Sequence, residues 1–270
     1  MSSLAAETIF HIADFPVTNA LINAVIAAIL LVAFSFLARP TFEAIVEALL
    51  GRIEAVTGDK KKARAFFPFV ATIFLFLLTN NWLGLLPGTG TIGFWGVSHE
   101  HAGEVELIPL LRSAGADLNM TLALAVLSLV AVQLYGIYAT GFFNYFSKFV
   151  NIRGIFRAIP KGPIAILTAI IEFFVGLIEI VSELAKAVSL SLRLFGNVFA
   201  GEVLIGVMMG LVAFIIPIPF MFLEILVGVI QATVFAMLVL VFLNMASMSH
   251  EHHEDEHSKE HDKENLPAHA

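Results

Sequence analysis

The sequence predicts an all-α integral membrane protein, and three observations carry that expectation. Hydrophobic residues make up 59% of the 270-residue chain against 14% charged, and the mean hydropathy is +0.90, which leaves too little polar surface to cover a soluble core. Several uncharged stretches exceed the roughly 20 residues that a helix rising about 1.5 Å per residue needs to cross a hydrocarbon layer ~30 Å thick. Most of the net charge of -7 sits in a tail, because residues 249–270 hold seven acids against Lys259 and Lys263; the remainder is close to neutral at -2.

The elements follow in order. Uncharged runs place spans at 17–38, 65–87 and 118–146. Between the first two, Phe42, Ile45, Val46, Leu49, Ile53 and Val56 share one helical face while Glu43, Glu47 and Glu54 occupy the other, which suits an amphipathic helix over 40–57 lying at the membrane surface. A segment over 164–216 is also helical in pattern, but as one continuous helix it would be roughly 80 Å long, so it must tilt steeply or break. The uncharged runs 203–223 and 225–250 are divided only by Glu224 and bent at Pro217 and Pro219, so they form the two sides of a hairpin whose last helix covers 218–248. The expectation is five to six helices, including the surface helix and a long, steeply tilted C-terminal hairpin, in one membrane domain over 1–248. Residues 249–270, acidic and rich in histidine, read as a disordered cytoplasmic tail.

Basic residues set the orientation. Arg39, Arg52, Lys60, Lys61, Lys62 and Arg64 follow the first span, and Lys148, Arg153, Arg157 and Lys161 follow the third, which places both loops in the cytoplasm. The amino terminus has no Lys or Arg and the loop over 88–117 has only Arg112, so both are expected outside, with the carboxyl terminus inside. No basic region with a cleavage site opens the chain, and no signal peptide is expected. The absence of cysteine excludes a disulfide framework, a thiolate metal site and a thiol nucleophile.

The chemistry is concentrated in the long segment. Glu172, Glu179, Glu183, Lys186, Arg193 and Asn197 are spaced by 7, 4, 3, 7 and 4 residues, which at about 100° per residue makes one narrow polar stripe. Glu183 and Lys186 are spaced for an ion pair that would let the helix bury against its neighbours. Arg193 has no acid three or four residues away, and an intramembrane arginine costs roughly 3 to more than 10 kcal/mol, so its counter-charge must come from elsewhere in this chain or from another subunit. Glu202, nine residues on, faces the other side of a straight helix; either the helix is distorted near Gly196 and Gly201 or Glu202 serves a separate cavity.

These residues carry a family resemblance. Glu179, Lys186, Ser189, the run Leu192-Arg193-Leu194-Phe195-Gly196-Asn197, Ala200-Gly201-Glu202 and Gln231 resemble subunit a of F-type ATP synthases. Further matches lie at Phe15-Pro16-Val17-Thr18-Asn19, from Asn80 to Pro87, at Ala116-Asp117-Leu118-Asn119-Met120-Thr121 and at Asn244-Met245-Ala246-Ser247, so the likeness covers nearly all but the tail. It implies an ion-conducting stator, with two offset half-channels against a rotating ring of c subunits that each carry a mid-membrane carboxylate. It further implies peripheral-stalk b subunits and lipid as partners, and H+ or Na+ as the transported ion. Arg193 would be the essential coupling charge: a guanidinium stays protonated, so it cannot relay the proton itself, but it attracts each ring carboxylate and blocks a direct leak. Glu202 and Glu224 would relay protons in the outer half-channel, where the family often has histidine at one of the two positions. Asn197, Gln231, Glu179 and Ser189 would line the path, with Gln231 hydrogen-bonding near Arg193, and Asp117, Asn119 and Thr121 would line the outer vestibule. As a helix N-cap, Asp117 needs no further role.

Other signals are weaker. His99, His101, Glu100, Glu104 and Glu106 read as a solvated acidic loop, and the tail histidines His250, His252, His253, His257, His261 and His269 as disordered chain able to bind metal adventitiously. No phosphate-binding Gly-Lys-Ser/Thr loop occurs, so ATP chemistry lies in other subunits and the chain itself makes no bonds. No cofactor, resident metal or nucleic-acid partner is expected, and the overall likeness favours a bacterial plasma membrane. The alternatives are a stand-alone ion-coupled transporter, against which the lack of two related halves counts, and a structural scaffold in which Arg193 and Glu202 could be replaced by apolar residues.

Overall fold

The computed structural model describes residues 6–12, 15–37, 39–86, 89, 92–97, 105–141, 145, 163–211 and 215–248. The outer-loop residues from His99 to Glu104 and the whole tail lie outside them, as do the side chains of Glu106 and Glu172. Six α-helices are described: α1 Asn19–Leu37, α2 Arg39–Thr57, α3 Lys60–Gly84, α4 Leu118–Thr140, α5 Pro163–Leu211 and α6 Pro217–Met248. All but α2 are long and apolar enough to cross a membrane, which makes this a multi-pass integral membrane protein.

Local sequence explains the boundaries. The Thr18 side chain accepts from the Leu21 amide at 3.2 Å and starts α1. Gly58, with φ of 69°, ends α2; Asp59 then caps α3 by accepting from the Lys61 amide at 2.8 Å. Helix α4 stops at Thr140, six residues short of the sequence expectation, because Gly141 takes a left-handed φ of 81° and turns the chain. Helix α5 runs unbroken for 49 residues, roughly 74 Å, through both Gly196 and Gly201. Of the two outcomes open to so long a segment, the chain takes the continuous one. Pro217 opens α6 at the first helical position, where its missing N–H is not needed.

Two short antiparallel hairpins accompany the helices. β1 (Thr8–Ile12) pairs with β2 (Phe15–Thr18), and β3 (Gly93–Val97) pairs with β4 (Val105–Pro109) in a continuous register from Gly93–Pro109 to Val97–Val105. The sequence reading had no strands here.

The chain packs as two compact units, and the last three helices each contribute to both. The first comprises 1–126 and 188–238. In it α2 seats Leu49 and Ile53 against α3, and α1 buries Asn19, whose Nδ2 donates to the Pro109 carbonyl at 3.2 Å and so ties the start of α1 to the end of β4. The Asn81 side chain donates to the Gly228 carbonyl at 3.2 Å, joining α3 to α6. A 3₁₀ turn at Ala114–Ala116 leads into α4, and the turn is buried throughout. The second unit comprises 127–187 and 239–270. There Lys186 Nζ donates to Glu183 Oε1 at 2.6 Å and lies 5.0 Å from the ring centre of Phe242, while Gln133 Nε2 donates to Glu183 Oε2 at 2.9 Å and Tyr145 Oη donates to Gln133 Oε1.

Candidate functional site

Helical periodicity divides the α5 residues of the first unit into two faces. Leu190, Ser191, Leu194, Val198 and Gly201 are buried and seat the helix on its neighbours, with Ser191 Oγ 3.3 Å from Thr121 Oγ1 of α4. Ser189, Leu192, Arg193, Gly196, Ala200 and Val203 are exposed. Arg193 thus projects from an otherwise uncharged open face. Among the described residues no carboxylate lies within ion-pair distance of it. Lys186 does not share this condition, since Glu183 neutralises it as the spacing predicts.

Glu202 is half-buried, four residues after Val198 and on a different face from Arg193. With the helix undistorted, the separate cavity is the outcome. It measures about 930 Å³, and its wall includes Asn81, Arg112, Ser113, Asn197, Glu202 and Glu224. Glu202 Oε1 is 3.4 Å from Nε of Arg112, and Oε2 is buried with no hydrogen-bond partner among the described residues. Glu224 reaches in from α6 so that its carboxylate lies against the backbone of Gly201, where a Cβ would collide with it. Gly201 therefore makes room for a side chain on another helix, and the two acids the sequence singles out meet one residue apart on α5.

The remaining sequence-predicted residues fall as follows. Asn197, one turn after Arg193, lines the cavity. Gln231 is buried, and its Nε2 has no hydrogen-bond partner among the described residues. Asp117 is buried and accepts from the Asn119 amide at 3.0 Å, the geometry of a helix cap for α4. Asn119 itself is exposed, and Thr121 is tied to Ser191. Glu179 is half-buried in the second unit, on the stripe with Glu183.

Arg112 is the residue sequence reasoning missed. Its only apparent role was as the lone base of an outer loop, yet it is 4% exposed and pairs with Glu202. The signal was present in the run of small residues after it, Ser113-Ala114-Gly115-Ala116, which lets a loop approach helices closely.

Apolar helices that carry Arg193 on an open face and gather Glu202, Glu224 and Asn197 at a cavity define a multi-pass membrane protein of the ion-handling kind, since such groups persist in a membrane only facing a cavity or a partner. Comparison with known proteins gives the particular family. The model of the family described as ATP synthase A chain matches residues 16–244, and the chain belongs to that family. It is 30% identical over 263 residues to ATP synthase subunit a of Moorella thermoacetica, covering 93% of this chain and 100% of that protein. Over 253 residues it is 32% identical to subunit a of Mycobacterium ulcerans, covering 87% and 90% of the two chains. Over 205 residues it is 33% identical to that of Gloeobacter violaceus, covering 76% and 70%.

Proposed function

We propose that this chain is the ion-conducting stator of an F-type ATP synthase, and that Arg193 is its coupling charge. The observation that carries the reading is the position of Arg193, on the open face of α5 with no carboxylate partner among the described residues, while Glu202 of α5 and Glu224 of α6 line a separate cavity. A guanidinium left on an apolar membrane face requires an anion that the described residues do not supply. The carboxylates of a rotating ring of c subunits fit that need: each arrives, is attracted as its proton leaves, and moves on when the next proton arrives. Arg193 keeps its own proton throughout, so it separates the two routes instead of joining them.

The cavity with Glu202 and Glu224 is the outer half-channel. Protons enter it from outside the cell, pass between the acids and reach the ring near Asn197, one helical turn from Arg193. The inner route follows the stripe at Glu179 and Ser189. Gln231 completes the polar lining once the ring is in place, and Asp117 and Asn119 border the outer entrance. The basic loops after α1 and α4 put the amino terminus outside a bacterial plasma membrane and the acidic tail in the cytoplasm. Peripheral-stalk b subunits hold the stator against the torque of the ring. Membership of the ATP synthase A chain family weighs against a stand-alone transporter.

The absence of cysteine makes a direct test practical. A single cysteine at Leu192, which is 54% exposed beside Arg193, should form an oxidative cross-link to a cysteine placed next to the ring carboxylate of the c subunit in the assembled complex. No cross-link there, in a complex of normal composition, would contradict the proposed facing.

A further inference from the structure

Arg112 lies between β4 and the 3₁₀ turn, and the chain on both sides of it is seated by close approaches. A Cβ at Gly84 of α3 would meet Ser113 Cβ at 2.6 Å and Oγ at 2.8 Å. A Cβ at Gly115 would meet Val198 Cγ2 of α5 at 2.9 Å. Ser113, Ala114, Gly115, Ala116 and Asp117 are all buried. The guanidinium therefore projects into the cavity from an anchored segment, and moving it means lifting that segment from two helices.

The cavity so formed holds three ionisable side chains from three parts of one unit: Arg112, Glu202 and Glu224. Arg112 pairs with Glu202, while Glu224 lies over Gly201 and has no ion-pair partner among the described residues. With both acids ionised the three groups sum to one negative charge, which a single proton cancels. An arginine cannot carry that proton, and the carboxylate it holds in an ion pair is the less mobile of the two acids.

Resting on the half-channel reading above, we infer that Arg112 is a positioning residue for proton conduction: it fixes Glu202 at the cavity wall and leaves Glu224 as the acid that takes up and passes on the proton. The two acids then do different work. Glu202 with Arg112 forms a fixed dipole beside the path, and Glu224 is the exchanging site. Removing the guanidinium leaves two uncompensated carboxylates in one cavity, with Glu202 free to compete for the proton that Glu224 should pass on.

The test is passive proton conduction through the membrane sector, in vesicles carrying the whole complex from which the catalytic head has been stripped, driven by a potassium diffusion potential at matched subunit levels. Arg112→Gln should slow conduction by about tenfold or more, as expected when a group that orients the path is lost. Arg112→Lys should recover a large part of it, because it restores the charge. The double variant Arg112→Gln/Glu202→Gln should conduct no worse than Arg112→Gln alone, since the arginine acts through that acid. Wild-type conduction in Arg112→Gln, or losses that multiply in the double variant, would overturn the inference. If Arg112→Gln does not accumulate, the double variant is compared with Glu202→Gln: equal rates uphold the inference and a further loss overturns it. Glu224→Gln separates the two levels, because normal conduction there would sink the half-channel reading itself, whereas loss there beside normal Arg112→Gln would sink only the role of Arg112.

Discussion

Gly201→Ala isolates the geometry of the cavity from the chemistry of its acids. The new methyl would occupy the space now filled by the carboxylate of Glu224, and that carboxylate would have to retreat by about 1 Å to reach ordinary van der Waals separation. It is the end of a flexible side chain, so the retreat costs little stability, and alanine favours the helix by roughly 0.5–1 kcal/mol over glycine. The expectation is a complex that assembles normally and conducts poorly. A displacement near 1 Å in a proton-transfer path is enough to cost up to about a hundredfold in rate, and a loss between about tenfold and a hundredfold is predicted. The assay is passive proton conduction in vesicles stripped of the catalytic head, with subunit levels measured by immunoblot. Gly210→Ala is the control, since it lies on the same helix with nothing within 4 Å of the added carbon, and it should conduct as wild type. Normal conduction in Gly201→Ala would refute the view that the placement of Glu224 against α5 matters.

Three further outcomes follow from packing and polar contacts. Asn81→Leu removes the bond to the Gly228 carbonyl and should weaken the α3 to α6 contact by about 0.6 to 1.7 kcal/mol, read as a lower midpoint of thermal unfolding in detergent. Gly115→Val would drive two methyl groups toward Val198 and should destabilise by roughly 1–3 kcal/mol, with reduced accumulation of the complex as the readout. Leu194→Ala opens a cavity beneath Arg193 at a position only 1% exposed, and should cost about 2–5 kcal/mol on the same thermal scale while leaving the Arg193 charge in place.

Much of this was legible in the chain because a membrane imposes simple rules. Long uncharged runs gave α1, α3, α4 and α6, the helical period of a polar stripe gave α5, and an apolar face with Leu49 and Ile53 opposite one with Glu47 and Glu54 gave the amphipathic helix α2. The pairing of Glu183 with Lys186 followed from spacing alone. What spacing could not give was tertiary. Arg112 pairs with a residue 90 positions away, and no local pattern links the two. The hairpins β1–β2 and β3–β4 are short and lack a sustained alternation, so they left no clear period to read. The end of α4 was overrun because Gly141 sits inside an apolar run, and only its φ of 81° marks the stop. The sequence left open whether the helix distorts near Gly196 and Gly201 or Glu202 serves a separate cavity; in the folded chain Gly201 is a gap for Glu224 in a helix that continues through it.

The central claim is that Arg193 couples ion flow to rotation. Membrane vesicles carrying the whole complex, wild type against Arg193→Ala at matched subunit levels, should be compared for ATP-driven proton pumping and for gradient-driven ATP synthesis. The account predicts that both activities vanish while the complex still assembles. Both activities persisting would contradict it and make Arg193 a structural residue.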